Sequence, residues 1–112
     1  MDELVQMLTD ITQNTHHYAA PPNTQPPYIV WQEFDQDEIM DADGEQDVYS
    51  VSGTIDIFSL AEKEPLVKQV RESLNGSEVG FYLKSVQYEE DTGLIHWEFE
   101  FSLVGWLDAW PV

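Results

Sequence analysis

The 112-residue chain contains no cysteine. Disulfide staples and thiolate metal sites are therefore excluded, and a packed core must hold the fold. Cations are nearly as scarce: Lys63, Lys68, Arg71 and Lys84 stand against twenty-two acids, for a net charge of −18. Affinity for nucleic acid comes mainly from cations that displace counterions from phosphates, so direct nucleic-acid binding is not expected. Anionic membranes are disfavoured by the same repulsion. No apolar run approaches the roughly 20 residues a bilayer span requires, and Met1-Asp2-Glu3 is acidic where a secretory leader would be basic. A soluble protein of a reducing cytosol is the expectation. Gly-rich phosphate loops, a nucleophile elbow and a dinucleotide fingerprint are missing as well, so no cofactor is expected.

What is present suffices for a core. Hydrophobic residues make up 42% of the chain, with four Trp, five Tyr and five Phe, and the length fits a single domain over residues 1–112. Residues 2–14 read as an amphipathic helix, with Leu4, Val5, Leu8 and Ile11 on one face. Residues 15–27 hold Pro21, Pro22, Pro26 and Pro27 and read as an extended connector. Tyr28–Phe34 reads as a strand, and 35–47 as a solvated loop with seven acids in thirteen residues. From Val48 the alternation is regular: Tyr49, Val51, Ile55 and Ile57 share a face with Gly53, which marks a bulge or a close approach by the helix above. A second helix starts at Pro65, puts Leu66, Val67, Val70 and Leu74 on its buried side, and ends at Asn75-Gly76. Phe81–Tyr88 and Leu94–Val104 flank a turn closed by Gly93 and read as a β-hairpin. On its second strand Ile95, Trp97, Phe99, Phe101 and Leu103 face inward, while His96, Glu98, Glu100 and Ser102 face out. These elements predict an α+β domain: a largely antiparallel four-stranded sheet with two helices packed on one face, in the order α-β-β-α-β-β.

Chemistry is harder to find. Glu98 and Glu100 lie about 7 Å apart along one strand face, yet solvent faces carry such pairs routinely and nothing nearby in sequence would raise one pKa. The acidic loop fits a calcium loop badly: with Asp41, Asp43 and Gly44 in place, the first and twelfth positions fall on Ile39 and Ser50. His16-His17 lack further ligands nearby in sequence, and His96 has no visible constellation, so no metal and no catalysis are expected. Two candidate interaction sites remain. One is the loop bearing Asp35, Asp37, Glu38, Asp41, Asp43, Glu45 and Asp47. The other is the tail 105–112, where Trp106, Leu107 and Trp110 either fold onto the domain's own sheet or anchor a neighbour. The charge itself suits three roles: solubility, docking to a basic partner, or lining a passage that DNA must traverse without sticking.

The order of segments resembles one family. An N-terminal helix leads through the Pro-rich stretch to Pro27-Tyr28-Ile29-Val30-Trp31. Thr54-Ile55-Asp56-Ile57-Phe58-Ser59 precedes the helix Leu66–Leu74, and the hairpin closes in Asp91-Thr92-Gly93-Leu94-Ile95-His96-Trp97-Glu98-Phe99-Glu100-Phe101. This pattern is similar to the tail-terminator, or tail-completion, proteins of long-tailed bacteriophages. The resemblance implies a structural assembly protein, not an enzyme, made in the host cytoplasm and placed at the head-proximal end of the virion tail. It implies a homo-oligomer, typically a hexameric ring, that stops tail-tube polymerisation and meets the tail-tube and head-connector proteins. The long acidic loop and the Trp-rich tail depart from that pattern. The alternative, from another class, is an acidic DNA mimic that inhibits a nucleic-acid-binding host protein, although its acids cluster in one loop instead of spreading at phosphate-like spacing. Solvated like charges contribute little to folding, so exchanging Asp41, Asp43 and Glu45 for their amides should leave the free energy of unfolding within about 0.5 kcal/mol of wild type by urea titration.

Overall fold

The computed structural model describes residues 2–39 and 48–106. Helix α1 covers Asp2–Ile11, with Asp2 and Glu3 in its first turn, where carboxylates favour the helix dipole. It ends three residues earlier than its apolar pattern predicts. The Thr15 hydroxyl donates to Thr12 O at 2.7 Å, and Thr12 Oγ1 accepts from Asn14 N, so threonines take over carbonyls and amides that a longer helix would have paired.

Strand β1, Thr15–His17, then pairs in parallel with Ile29–Trp31 of strand β2, Tyr28–Ile39. The span predicted as an extended connector therefore contributes a short strand before its prolines begin. Only from Pro21 onward are backbone donors lost, so Thr15–His17 can still bond along an edge. Asn14 ties off the loop that follows: its amide donates to Gln25 O at 2.8 Å and to Pro27 O at 3.0 Å.

Strand β3, Val48–Ser59, pairs antiparallel with β2 on one side and with strand β5, Leu94–Trp106, on the other. Strand β4, Gly80–Glu89, closes the sheet against β5. The described residues thus form a five-stranded mixed sheet in the order β1-β2-β3-β5-β4. The predicted four-stranded sheet is corrected to five strands by β1, and the element order becomes α-β-β-β-α-β-β.

Two boundaries also move. Asp35–Ile39, expected as the start of a solvated loop, extend β2 and pair with Val48–Ser52. Gly105 and Trp106, expected in the tail, extend β5 and pair with Tyr49 and Val48. Backbone pairing with β3 on both sides outweighs the poor strand propensity of consecutive acids. The remaining predicted loop and tail residues lie outside the described residues.

Helix α2, Pro65–Asn75, begins at the proline as expected, with Glu64 as an N-cap that makes no side-chain bond. Both helices pack on one face of the sheet. Leu4, Leu8, Leu66, Val70 and Leu74 meet Ile29, Trp31, Val51, Ile55, Ile57, Trp97, Phe99 and Phe101 in one cluster. No described helix is long and apolar enough to cross a membrane.

Gly53 fits the sequence reading with one change. A Cβ there would lie 2.0 Å from Gln32 O, 2.8 Å from Glu33 Cα and 2.8 Å from the Phe101 ring. The close approach comes from β2, which bulges between Glu33 and Asp35 opposite this residue, and from an aromatic ring, not from a helix. Gly93 adopts φ +73° in the β4–β5 turn, as its position predicts. Gly53→Ala should therefore cost about 1–3 kcal/mol, whereas Gly80→Ala, whose Cβ would meet Ser102 O at an ordinary 3.5 Å, should stay within about 0.5 kcal/mol. Urea denaturation of the two variants makes the comparison.

Candidate functional site

The sheet face opposite the helices is not a plain solvent face. Cross-strand register places Tyr28, Phe58 and His96 in a row across β2, β3 and β5, with His16, opposite Val30, two positions along on β1. Tyr28 stacks on Phe58 at 4.9 Å and Phe58 on His96 at 4.3 Å, while His16 meets Tyr28 edge-on at 6.5 Å. The segment after β1 crosses above this row. Together they enclose a groove of about 580 Å³, walled by Tyr18, Pro21, Tyr28 and Phe58 and floored by Thr54 and Asp56.

Thr54 and Asp56 are buried, which needs a physical reason in a polar pair. The Thr54 hydroxyl donates to Asp56 Oδ2 at 2.9 Å, and His96 Nε2 donates to Asp56 Oδ1 at 2.6 Å. On the far side of the ring, His96 Nδ1 lies 3.5 Å from Glu89 Oε2. Burial lowers the His96 pKa, but the Asp56 hydrogen bond and the fields of Asp56, Glu89 and Glu98 outweigh it, so the pKa stands above the ordinary histidine value.

Further along the same face, Lys84 Nζ sits 3.7 Å from Glu98 Oε2 and 3.6 Å from Glu100 Oε1, and Tyr82 donates to Glu100. The Glu98–Glu100 pair is thus bridged by one ammonium across the strands, a partner that was silent in sequence because Lys84 lies on another element. The adjacent histidines diverge. His17 stacks between Trp31 at 3.8 Å and Tyr18 at 3.7 Å and bonds Glu33, whereas His16 bonds Asn14 Oδ1 at 2.9 Å on the other face. Burial raises the Glu33 pKa, yet the bonds from Tyr18 and His17 prevail and hold it below the ordinary carboxylate value.

Asp56, His96 and Glu98 each offer one ligand atom, all within 4.8 Å of one another. The sequence reading saw no constellation around His96, and the tertiary structure corrects it, since Asp56 comes from a strand forty positions earlier. A cation there would have to open the 2.6 Å bond between His96 and Asp56 and draw Glu98 from Lys84. As it stands the trio is an ion-pair network. The Thr54 hydroxyl donates to Asp56 and so helps to fix the carboxylate in place.

The two sequence-derived interaction sites converge. Asp35, Asp37 and Glu38 occupy β2 positions opposite Ser52, Ser50 and Tyr49, and Trp106 occupies the β5 position opposite Val48. All four lie at one end of the sheet. Asp41, Asp43, Glu45, Asp47, Leu107 and Trp110 lie outside the described residues. One surface went unseen in sequence: β4 exposes Tyr82, Leu83, Val86 and Tyr88. The sequence marked Phe81–Tyr88 only as a hairpin strand, and the strand order reveals it as an edge.

Among the described residues, a helix-covered sheet thus has a polar, ion-paired second face and an edge strand with exposed apolar side chains. The chain matches the family of tail completion protein gp17 over residues 3–104, and it belongs to that family of structural phage tail proteins. No curated protein matches it. Membership implies interaction with other tail and head components of the virion.

Because the folded pKa of His96 is raised, its protonation contributes stability that is fully present below about pH 6.5 and is lost as pH rises through the folded pKa. His96→Gln should therefore lower the melting temperature more at pH 5.5 than at pH 9 (both about a unit or more from the ordinary value). A melting series of both proteins across that range provides the check.

Proposed function

We propose that this chain is a tail terminator: copies assemble as a ring, hexameric in the resemblance drawn from sequence, that caps the tail tube and joins it to the head connector. The observation that carries this reading is the family match across residues 3–104. The charge supports it, because a wall bearing −18 per copy repels phosphate, which suits a passage for DNA better than a surface that binds it. The free apolar strand β4 supports it too, since long exposed edges are surfaces for association. Asp35, Asp37, Glu38 and Trp106, gathered at one end of the sheet, serve as contacts to neighbouring subunits and tail proteins. Completion takes place in the host cytoplasm, and the finished ring sits at the head-proximal end of the tail.

Copies this acidic repel one another in dilute solution. Ring formation is therefore favoured by high ionic strength, by high concentration, or by the tail tip acting as template. Deleting the gene from the parent phage should yield tails of abnormal length and separate filled heads, seen by electron microscopy of the lysate. Uniform tails firmly attached to heads would sink the terminator reading and leave the DNA-mimic alternative in its place.

A further inference from the structure

We propose that one copy joins the next by strand addition: the free edge of β4 pairs antiparallel with the uncovered outer half of β2, Gln32–Ile39, of a second copy. This contact rests on the ring reading above and supplies the surface that such a ring would repeat.

The first observation is the β4 edge. β4 ends the strand order, so one side of its ten-residue backbone has no strand partner among the described residues. Four large side chains are exposed along it: Tyr82 at 53%, Leu83 at 36%, Val86 at 51% and Tyr88 at 65%. Monomeric proteins keep edges short or guard them with outward charges. The lysine of this edge does not stand guard, because Lys84 turns back onto Glu98 and Glu100 of its own sheet.

The second observation is the opposite edge. β1 covers only Ile29–Trp31 of β2, and Tyr18 N adds a bond to Trp31 O. From Gln32 to Ile39, β2 has a strand neighbour on the β3 side alone among the described residues. This stretch carries Glu33, Asp35, Asp37 and Glu38 and no cation.

Charge then selects between the possible pairings. All four cations and only three acids (Glu64, Glu72, Glu78) fall between residues 63 and 88, so this stretch, which includes α2 and most of β4, carries +1 within a chain of −18. Among the described strands β4 alone bears a Lys or Arg. Two acidic β2 edges would repel each other. Two β4 edges would bury their apolar side chains but close as a two-fold dimer. β4 against the β2 edge of the next copy places the least acidic surface on the most acidic one. That contact is heterologous, the kind that generates rings.

Strand direction and register agree. β4 and β2 run in opposite senses, because β2, β3, β5 and β4 alternate across the sheet. A rotation that repeats the subunit preserves those senses, so the new pair is antiparallel. Gly80 shares a row with Ser102, Ser52 and Asp35, which puts most of β4 toward the end of the sheet away from Gln36–Ile39. Pairing the two edges therefore offsets successive copies along the strands, the same tilt that closed barrels require.

The test exploits the absence of native cysteine. Ser85→Cys or Gln87→Cys is made in one preparation and Asp35→Cys or Asp37→Cys in another. They are mixed at high ionic strength under mild oxidation, alongside electron microscopy of the wild type for rings. A disulfide-linked dimer in a mixture, with none in either preparation alone, is expected. Val86→Glu should in addition raise the concentration for half-assembly about tenfold or more while leaving the melting temperature unchanged, because the side chain is half exposed. Cross-linking of the β4 variants alone would mean a two-fold β4 contact and overturn the proposal. Rings without any mixed cross-link, and with Val86→Glu assembling normally, would overturn the contact and leave the ring reading standing. Absence of rings both in solution and on isolated tail tubes would overturn the ring reading, and this contact with it.

Discussion

The rest of the molecule depends on how closely β2 and β5 can flank β3. Its odd positions Val51, Ile55 and Ile57 are fully buried beneath the helices, and its even positions Thr54 and Asp56 are buried on the other face. A strand enclosed on both faces admits no spare volume. At Gly53 the missing side chain lets the β2 bulge and the Phe101 ring occupy the space a Cβ would need. That bulge is also where β2 changes register and continues as an acidic extension beyond the reach of β1. Core packing and the shape of the exposed edge thus share one cause.

Burial of polar groups on the second face follows from the same enclosure. Once Asp56 is taken from water, it must be satisfied from within the protein, and Thr54 with His96 does so. The ring that answers Asp56 is itself stacked on Phe58, so one side chain belongs both to the aromatic row and to the ion-pair network. In a chain with so few cations, histidine and Lys84 are the positive partners this face draws on. The result is a polar surface fixed by hydrogen bonds and ion pairs.

For a virion assembly protein the uneven distribution of charge matters more than its total. All four cations fall between residues 63 and 84, so the stretch that includes helix α2 and part of β4 carries +1 within a chain of −18. In the proposed ring, the exposed edge of β4 would add a directional backbone ladder that charge alone does not supply.

Much of this was legible in the residues themselves. Helix α2 began at Pro65 as its proline required, the Gly93 turn took the expected positive φ, and the alternation of Val51–Ile57 and Trp97–Phe101 named the buried face correctly. Those features depend on local φ preferences and on the period of two, which a sequence carries explicitly. Family membership was legible for a similar reason, since the order of such segments is itself a pattern. Strand β1 was hidden because three residues have too little pattern of their own and form a strand only against β2. The extension of β2 through Asp35–Ile39 was hidden because its acids argue for a loop until β3 pairs with them. His96 with Asp56, and Lys84 with Glu98 and Glu100, were invisible because the partners lie on different strands. The sequence by itself determined both helices, the cores of the four longer strands, the core face and the charge. Only the tertiary structure decided which strands stand at the edges and which polar groups meet, because strand order and cross-strand contact arise from long-range packing that no local pattern encodes.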